Sequence, residues 1–188
     1  MGQVPYQSYA ATEAHAERFL AKYDPSDTIP VPIEMIVEHE LHLDIVPVPG
    51  LFRRVGVTGF LSNDCQEIFV DQFDFERHEA RYRFTLAHEV GHLVLHGTFY
   101  REAKIRSSAD FLRFREAILA EDLERLEIQA MNFAGAVLMP RGPLQALLAS
   151  FGVSRADLVK LGSAVARRFF VSTGAADRRM RLSGLLRI

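Results

Sequence analysis

Residues 83–93 read RFTLAHEVGHL and contain the pattern His-Glu-Xaa-Xaa-His, with its histidines at positions 88 and 92. Histidines four positions apart lie on one face of an α-helix, so their imidazole rings can bind one metal ion together. Nitrogen ligands of this kind suit zinc. Glu89 lies about 100° around such a helix from His88, where it can accept a proton from water rather than bind the metal. The stretch therefore predicts a helix that carries two zinc ligands, His88 and His92, and a catalytic base, Glu89.

The residues around this pattern predict that the helix is buried. Apolar side chains occupy almost every face of it: Phe84, Leu86, Ala87, Val90, Leu93, Val94 and Leu95. Unpaired polar groups are costly in a protein interior, so two histidines and a carboxylate in such a helix need partners. One metal ion would satisfy all three. The alternative is a pair of core histidines whose hydrogen bonds are satisfied within the protein.

A catalytic zinc site also needs a third protein ligand and a position that is open to water. His96 is one candidate, because it lies four residues after His92. However, the helix between His88 and His96 moves a side chain about 12 Å along its axis, and no glycine turn precedes His96 to bring it back. We therefore expect His96 to lie at the end of the helix, where a cationic imidazole suits the helix dipole.

A later part of the chain offers carboxylates as the third ligand: Glu116, Glu121, Glu124 and Glu127. Glu127 lies on a stripe of helical spacing that is otherwise apolar, formed by Leu123, Ala130, Met131, Ala134 and Leu138. The small residues of this stripe would let its helix pack closely on the helix of the two histidines. Glu121 and Glu124 have charged neighbours, which is typical of a solvated face. We therefore predict Glu127 as the third ligand; the alternative for it is a buried glutamate in an ion pair.

The rest of the sequence predicts an α+β fold with a small sheet. Expected helices are residues 9–22, 33–40, 75–96 (ending at Gly97) and 119–138, and expected strands are residues 41–46, 55–61 and 66–72. Pro47 and Pro49 should end the first strand, since proline cannot donate to a sheet ladder. Residues 98–118 are highly charged and predict a loop or a surface helix. Residues 143–186 predict three helical pieces, with breaks at Gly152 and around Val171-Ser172.

The composition is that of an ordinary globular protein. Of 188 residues, 48% are hydrophobic and 24% are charged, and neither an apolar membrane span nor a signal peptide is apparent. The single cysteine, Cys65, excludes an internal disulfide and a multi-cysteine metal site, and we expect a cytoplasmic protein. The net charge of −2 predicts no overall affinity for polyanions. Residues 155–188 nevertheless carry a net charge of +6, from eight basic and two acidic residues.

Three stretches together have the character of a family signature: residues 83–93, residues 127–134 (EIQAMNFA) and Leu138-Met139-Pro140. With the predicted strand at residues 41–46, Gly59-Phe60 and the apolar run 68–70, they make the sequence resemble the ImmA/IrrE family of zinc metallopeptidases. The resemblance covers residues 30–140 well and residues 150–185 loosely. One position departs from the family, which usually has asparagine four residues after the ligand glutamate. Here that position is Met131, followed by Asn132, and methionine cannot make the hydrogen bonds of an asparagine that supports a metal site.

The resemblance implies a zincin-like metallopeptidase core, in which a small β-sheet packs on the His-Glu-Xaa-Xaa-His helix and on a second ligand-bearing helix. It implies zinc bound by His88, His92 and Glu127, with Glu89 as catalytic base. The catalytic region would span residues 1–145 and a helical, helix-turn-helix-like region residues 146–188. The implied substrates are helix-turn-helix repressors, whose cleavage releases stress-response or mobile-element genes.

Two sets of candidate residues remain open. An oxyanion formed during hydrolysis needs a donor besides zinc, and Tyr82, His96 and Tyr100 are near enough in sequence to supply it. The basic C-terminal residues Arg167, Arg168, Arg178, Arg179 and Arg181 are candidates for binding DNA or an acidic partner, although a packed helical region with a solvated basic face explains them too. The alternative function is therefore a zinc-bound regulator that binds a partner or DNA through these helices without proteolysis.

Overall fold

The computed structural model describes residues 4–103, 105–151 and 155–185. The helices are α1 (Tyr9–Tyr23), α2 (Ile33–Met35, continued by a π-helical turn Ile36–Glu40), α3 (Leu51–Val55), α4 (Gln72–Arg77), α5 (Glu79–Glu102), α6 (Ser108–Ala117), α7 (Ala120–Leu138), α8 (Arg141–Ala149), α9 (Arg155–Phe169) and α10 (Thr173–Leu182). The strands are β1 (Asp44–Val48), β2 (Gly59–Leu61) and β3 (Glu67–Asp71). The fold is thus α+β and mostly helical, as the sequence predicts at this level.

The three strands form one sheet in the order β1-β3-β2, with β1 parallel and β2 antiparallel to β3. The prediction that Pro47 ends the first strand is wrong, because Pro47 lies inside β1 opposite Val70. The Asp44 amide donates to Gln66 in this pairing (2.9 Å), so alternate amides face β3 and the nitrogen of Pro47 faces away from it. A proline is tolerated at such an edge position, where no ladder hydrogen bond is lost.

The strand predicted at residues 55–61 is largely a different structure. Val55 ends the short helix α3, and Gly56 follows it in a left-handed conformation (φ 78°), which glycine adopts at little cost. Only Gly59–Leu61 pairs with β3. The alternation of valine and glycine in residues 55–59 has the period of a strand, but the left-handed glycine at position 56 closes a helix instead.

The helix predicted at residues 75–96 is two helices, and the second is longer than expected. α4 begins after Asp71, whose side chain accepts hydrogen bonds from the amides of Phe73 and Asp74, and the chain breaks at His78. α5 then continues through Gly97 to Glu102, so Gly97 does not end it. A glycine weakens a helix by about 1 kcal/mol. On the turn after Gly97, however, Tyr100 (2% exposed) is buried beside His92, and this burial favours continuation of the helix.

Most of the described residues in the range 98–118, predicted as a loop or a surface helix, belong to the end of α5 and to the helix α6. The Ser107 side chain caps α6 by accepting from the Asp110 amide. Phe111 of α6 is buried and stacks on Phe60 of β2, with ring centroids 5.0 Å apart. The inner face of α6 therefore covers the strand nearest to α5.

The two longest helices, α5 and α7, pack against each other at close range. A Cβ atom added to Gly91 would lie 3.0 Å from the carbonyl oxygen of Ala130, so the absence of a side chain at position 91 permits the contact. α7 also packs on α1 through Phe19 and Phe133, whose ring centroids are 5.7 Å apart. This packing places one face of α7 directly against the histidines of α5.

The C-terminal residues are helical, as predicted. α8, α9 and α10 correspond to the three expected pieces, and Ser172 caps α10 by accepting from the Ala175 amide. The break predicted at Gly152 lies outside the described residues. The predicted division of the chain at residues 145/146 falls within α8 and stays a prediction. None of the helices described has the length and apolarity needed to cross a membrane.

Candidate metal centre

His88 and His92 of α5 and Glu127 of α7 converge on one point. The Nε2 atoms of the two histidines are 3.0 Å apart. Glu127 Oε2 lies 3.3 Å from His88 Nε2, and Oε1 lies 3.8 Å from His92 Nε2. All three ligand atoms lie within 4.8 Å of one another, a spacing that one ion with bonds of about 2 Å can bridge. Two imidazoles and a carboxylate are a donor set that suits catalytic zinc.

Burial and charge act together on these groups. His92 is almost inaccessible, whereas the Glu127 side chain is 44% exposed, so the cluster is open on its carboxylate side. Burial raises the pKa of Glu127, but the His88 hydrogen bond and nearby positive charges outweigh it and lower the pKa overall. Burial lowers the pKa of His88, but its hydrogen bond to Glu127 and the charges of Glu89 and Glu127 raise it overall. The carboxylate therefore stays ionised beside the imidazole nitrogens.

Glu89 is buried next to this cluster but does not join it. Burial, the largest cause, raises the pKa of its carboxyl group to about 7; the charge of His88 opposes this rise and that of Glu127 adds to it. A carboxylate with a pKa near neutrality is suited to accept and return a proton at physiological pH. The position on α5 next to His88 thus separates Glu89 from the ligands while keeping it within the same site.

The cluster lies in a cleft that is open to solvent. The walls are mostly apolar and come from α3, β2, α5, α6 and α7; they include Phe52, Val57, Gly59, Phe84, Thr85, Phe111 and Met131. β2 passes close to the base: a Cβ atom added to Gly59 would lie 3.6 Å from Glu89 Oε1 and 2.5 Å from Thr85 Cγ2. Glycine at position 59 therefore lets the sheet edge approach α5.

Of the three candidate oxyanion donors, the structure brings only Tyr100 into this cleft. Burial, with smaller contributions from the Glu89 and Glu127 charges, raises the pKa of Tyr100 well above its usual value, so its hydroxyl keeps its proton. Tyr82 instead donates a hydrogen bond to Glu34 of α2 (2.9 Å) and does not line the cleft. The prediction for Tyr82 is therefore contradicted by its position.

His96 is neither a helix-end residue nor a cation. It lies inside α5, is 5% exposed, and its Nε2 is 2.8 Å from Oε1 of Gln129 on α7. Burial lowers the pKa of His96 to about 4, against a smaller opposing effect of Gln129, so the ring is neutral near pH 7. Sequence reasoning missed Gln129; the available signal was a polar residue within the apolar, small-residue part of the α7 sequence.

Met131 and Asn132 have different surroundings. Met131, which replaces the expected asparagine, lines the cleft with its apolar side chain. Asn132 accepts a hydrogen bond from Arg178 of α10 (3.0 Å) and does not line the cleft. The neighbouring asparagine therefore does not take the place of the missing one.

The basic C-terminal candidates divide into exposed and internal residues. Arg167, Arg168 and Arg181 are exposed. Arg178 is partly buried against Asn132. Arg179 is 2% exposed and bonds to Glu13 (2.6 Å), the Met139 carbonyl and the Tyr9 hydroxyl. The prediction that Arg179 binds DNA or a partner is contradicted, because its guanidinium is already held inside the protein.

Comparison with known proteins gives one family match. The family model of the IrrE N-terminal-like domain, a peptidase family designated M78, matches residues 74–181, more than half of the chain. The match includes α5 and α7, which carry the three clustered side chains and Glu89. No curated protein matches the sequence.

Proposed function

Because the chain belongs to the M78 peptidase family of IrrE N-terminal-like domains, we propose that it is a zinc-dependent endopeptidase that cleaves a helix-turn-helix transcriptional repressor. Cleavage would release stress-response or mobile-element genes. The observation that carries the proposal is the meeting of His88, His92 and Glu127 beside the buried carboxyl group of Glu89, in a cleft open to solvent.

The residues of the cleft have different roles in the proposed reaction. His88, His92 and Glu127 would hold zinc, which when bound supplies a Lewis acid that acidifies water and polarises the scissile carbonyl. Glu89 accepts the proton of the attacking water and returns it to the leaving amine. The Tyr100 hydroxyl, which keeps its proton, donates a hydrogen bond to the developing oxyanion.

The sheet edge at the cleft suits an extended substrate. The Ser62 amide donates to the Glu67 carbonyl, and the Asp71 amide donates to the Thr58 carbonyl. The backbone groups of Thr58 and Ser62, on either side of β2, therefore face β3. The backbone of Gly59 alternates with these and therefore points to the opposite edge, where it lines the cleft. An extended peptide can add to such an edge by main-chain hydrogen bonds. The apolar walls then favour apolar side chains beside the scissile bond.

The direct test uses the wild-type protein and the Glu89→Gln variant, each loaded with zinc. Each is incubated with the helix-turn-helix regulator encoded beside the gene of this protein, and fragments are identified by mass spectrometry. We expect specific cleavage by the wild type, a loss of roughly a hundredfold to ten-thousandfold in the variant, and equal zinc content in both.

The possible outcomes separate the proposal from its alternative. Equal cleavage by both proteins would exclude Glu89 as the base. Binding of the regulator by zinc-loaded wild type without cleavage would contradict the peptidase proposal and favour a regulator that acts by binding. Cleavage of unrelated extended peptides but not of this regulator would overturn the proposed substrate while keeping the reaction.

A further inference from the structure

A line of hydrogen-bonding groups runs from the N-terminal backbone to the candidate metal ligand His92. Gln129 Nε2 donates to the carbonyl oxygen of Pro5 (3.0 Å), and Gln129 Oε1 lies 2.8 Å from His96 Nε2. The other ring nitrogen of His96, Nδ1, lies 3.3 Å from Nδ1 of His92. Nε2 of His92 then faces His88 and Glu127. Four residues thus connect in series, with the candidate metal position at one end.

The chemistry of the first group fixes the direction of every later bond. A backbone carbonyl only accepts, so the amide nitrogen of Gln129 faces Pro5 and its oxygen faces His96. That oxygen also only accepts, so the proton of a neutral His96 is on Nε2 and its Nδ1 carries a lone pair. This lone pair accepts from His92 Nδ1–H, which leaves the lone pair of His92 Nε2 directed into the site.

Burial stabilises these hydrogen-bond directions. His92, His96 and Gln129 are 2%, 5% and 2% exposed, so water has little access to replace a lost partner. The Pro5 end is held as well, because the adjacent amide of Val4 donates to Asp122 of α7 (3.1 Å) and Val4 is 1% exposed. Reversing any one group would leave a donor facing a donor or an acceptor facing an acceptor.

We propose that His96 and Gln129 are positioning residues, which hold His92 as the Nδ1–H tautomer and fix the rotation of its ring so that Nε2 can bind the metal. The proposal rests on the metal site of the proposed function, but not on peptidase activity. It assigns His96 a role that differs from that of a metal ligand and from that of a helix-end cation. Partners of this kind typically contribute ten- to a hundredfold in metal affinity.

The first test reads the tautomers directly and needs neither metal nor a variant. In ¹⁵N-labelled, metal-free wild-type protein at pH 8, two-bond ¹H–¹⁵N couplings distinguish the two neutral forms of each histidine. We expect His92 protonated on Nδ1 and His96 protonated on Nε2. A spectrum with His92 protonated on Nε2, or His96 protonated on Nδ1, overturns the proposal whether or not the protein proves to be a peptidase.

The second test compares two variants by zinc affinity, measured by competition with a chromophoric chelator. His96→Leu removes the acceptor, and we expect its zinc Kd to rise ten- to a hundredfold. His96→Asn keeps an amide oxygen near the position of Nδ1, and we expect it to recover most of the affinity. Unchanged affinity in His96→Leu, or equal losses in both variants at equal thermal stability of the metal-free proteins, contradicts the proposal.

Discussion

Glu127 differs from the other candidate glutamates in what its side chain faces. Its carboxylate lies 3.3 Å from His88 Nε2. Glu121 and Glu124 are exposed, and Glu121 pairs with Arg125. Glu116 lies on α6 rather than α7 and is also exposed. A metal site therefore depends on one carboxylate of the four.

This difference predicts a matched pair of results for zinc binding. Glu127→Gln keeps the size of the side chain but removes the charge, and an amide is a poor zinc ligand. We expect its zinc Kd to rise by about a hundredfold or more, while Glu124→Gln, on the same helix, leaves it unchanged. Isothermal titration of the metal-free proteins measures both. Equal affinity in the two variants would show that Glu127 is not a ligand.

The sequence predicts the central residues of the site better than those that support them. The meeting of His88, His92 and Glu127 could be expected, because helical spacing fixes two of them and an apolar stripe singles out the third. The environment of His96 could not, because its partner Gln129 lies on another helix, 33 positions away. The choice of Tyr100 over Tyr82 likewise depends on which face of α5 borders the cleft.

At the scale of elements, the approach of α5 to α7 holds the ligands together. His88 and His92 lie on α5 and Glu127 on α7, so any increase in the distance between these helices separates the donor atoms. Gly91 lies at a close contact between the two helices, since a Cβ there would meet Ala130 backbone atoms at 3.0 and 3.1 Å. Backbone atoms cannot rotate away as the end of a flexible side chain can.

Gly91→Ala should therefore weaken both folding and zinc binding. We expect a loss of about 1–3 kcal/mol in the free energy of unfolding, which is typical of an overpacked core, and a higher zinc Kd. Gly97→Ala is the control on the same helix, since its nearest neighbour, Arg101 Nη1, would be 3.6 Å away. We expect Gly97→Ala to be neutral or to stabilise by up to about 1 kcal/mol. Urea unfolding and chelator competition test both variants; equal effects would contradict the packing argument.

The errors in the predicted elements each have an identifiable cause. Gly56 and Gly97 both follow helical residues, yet only Gly56 ends a helix, with φ 78°. Gly97 stays helical because residues on the following turn, such as Tyr100, are buried. Pro47 stays in β1 because that strand is at an edge of the sheet. For Gly97 and Pro47, the deciding factor is packing or strand pairing with other parts of the chain, which the local pattern does not contain.

At the scale of the whole molecule, a buried ion pair connects the two ends of the chain. Arg179 of α10 bonds to Glu13 of α1, and Arg141 of α8 bonds to the other oxygen of Glu13 (3.2 Å). Arg179 also donates to the Met139 carbonyl, which follows the end of α7. Part of the basic charge of the C-terminal region therefore balances an internal carboxylate. The sequence shows that this charge exists, but not which arginine turns inward.

Arg179 should accordingly affect stability far more than a basic residue on the surface. Arg179→Ala leaves the Glu13 carboxylate buried with one partner fewer, and breaking a buried pair in this way costs about 3–5 kcal/mol. Arg181→Ala, two residues on and exposed, should change the free energy of unfolding by less than about 0.5 kcal/mol. Urea denaturation of the metal-free proteins measures both.

In the double variant Glu13→Leu/Arg179→Met, which removes both charges, the loss of unfolding free energy should be smaller than in Arg179→Ala, since no unpaired charge stays buried. A loss in Arg179→Ala no larger than in Arg181→Ala would contradict the internal role and make Arg179 a surface residue in solution.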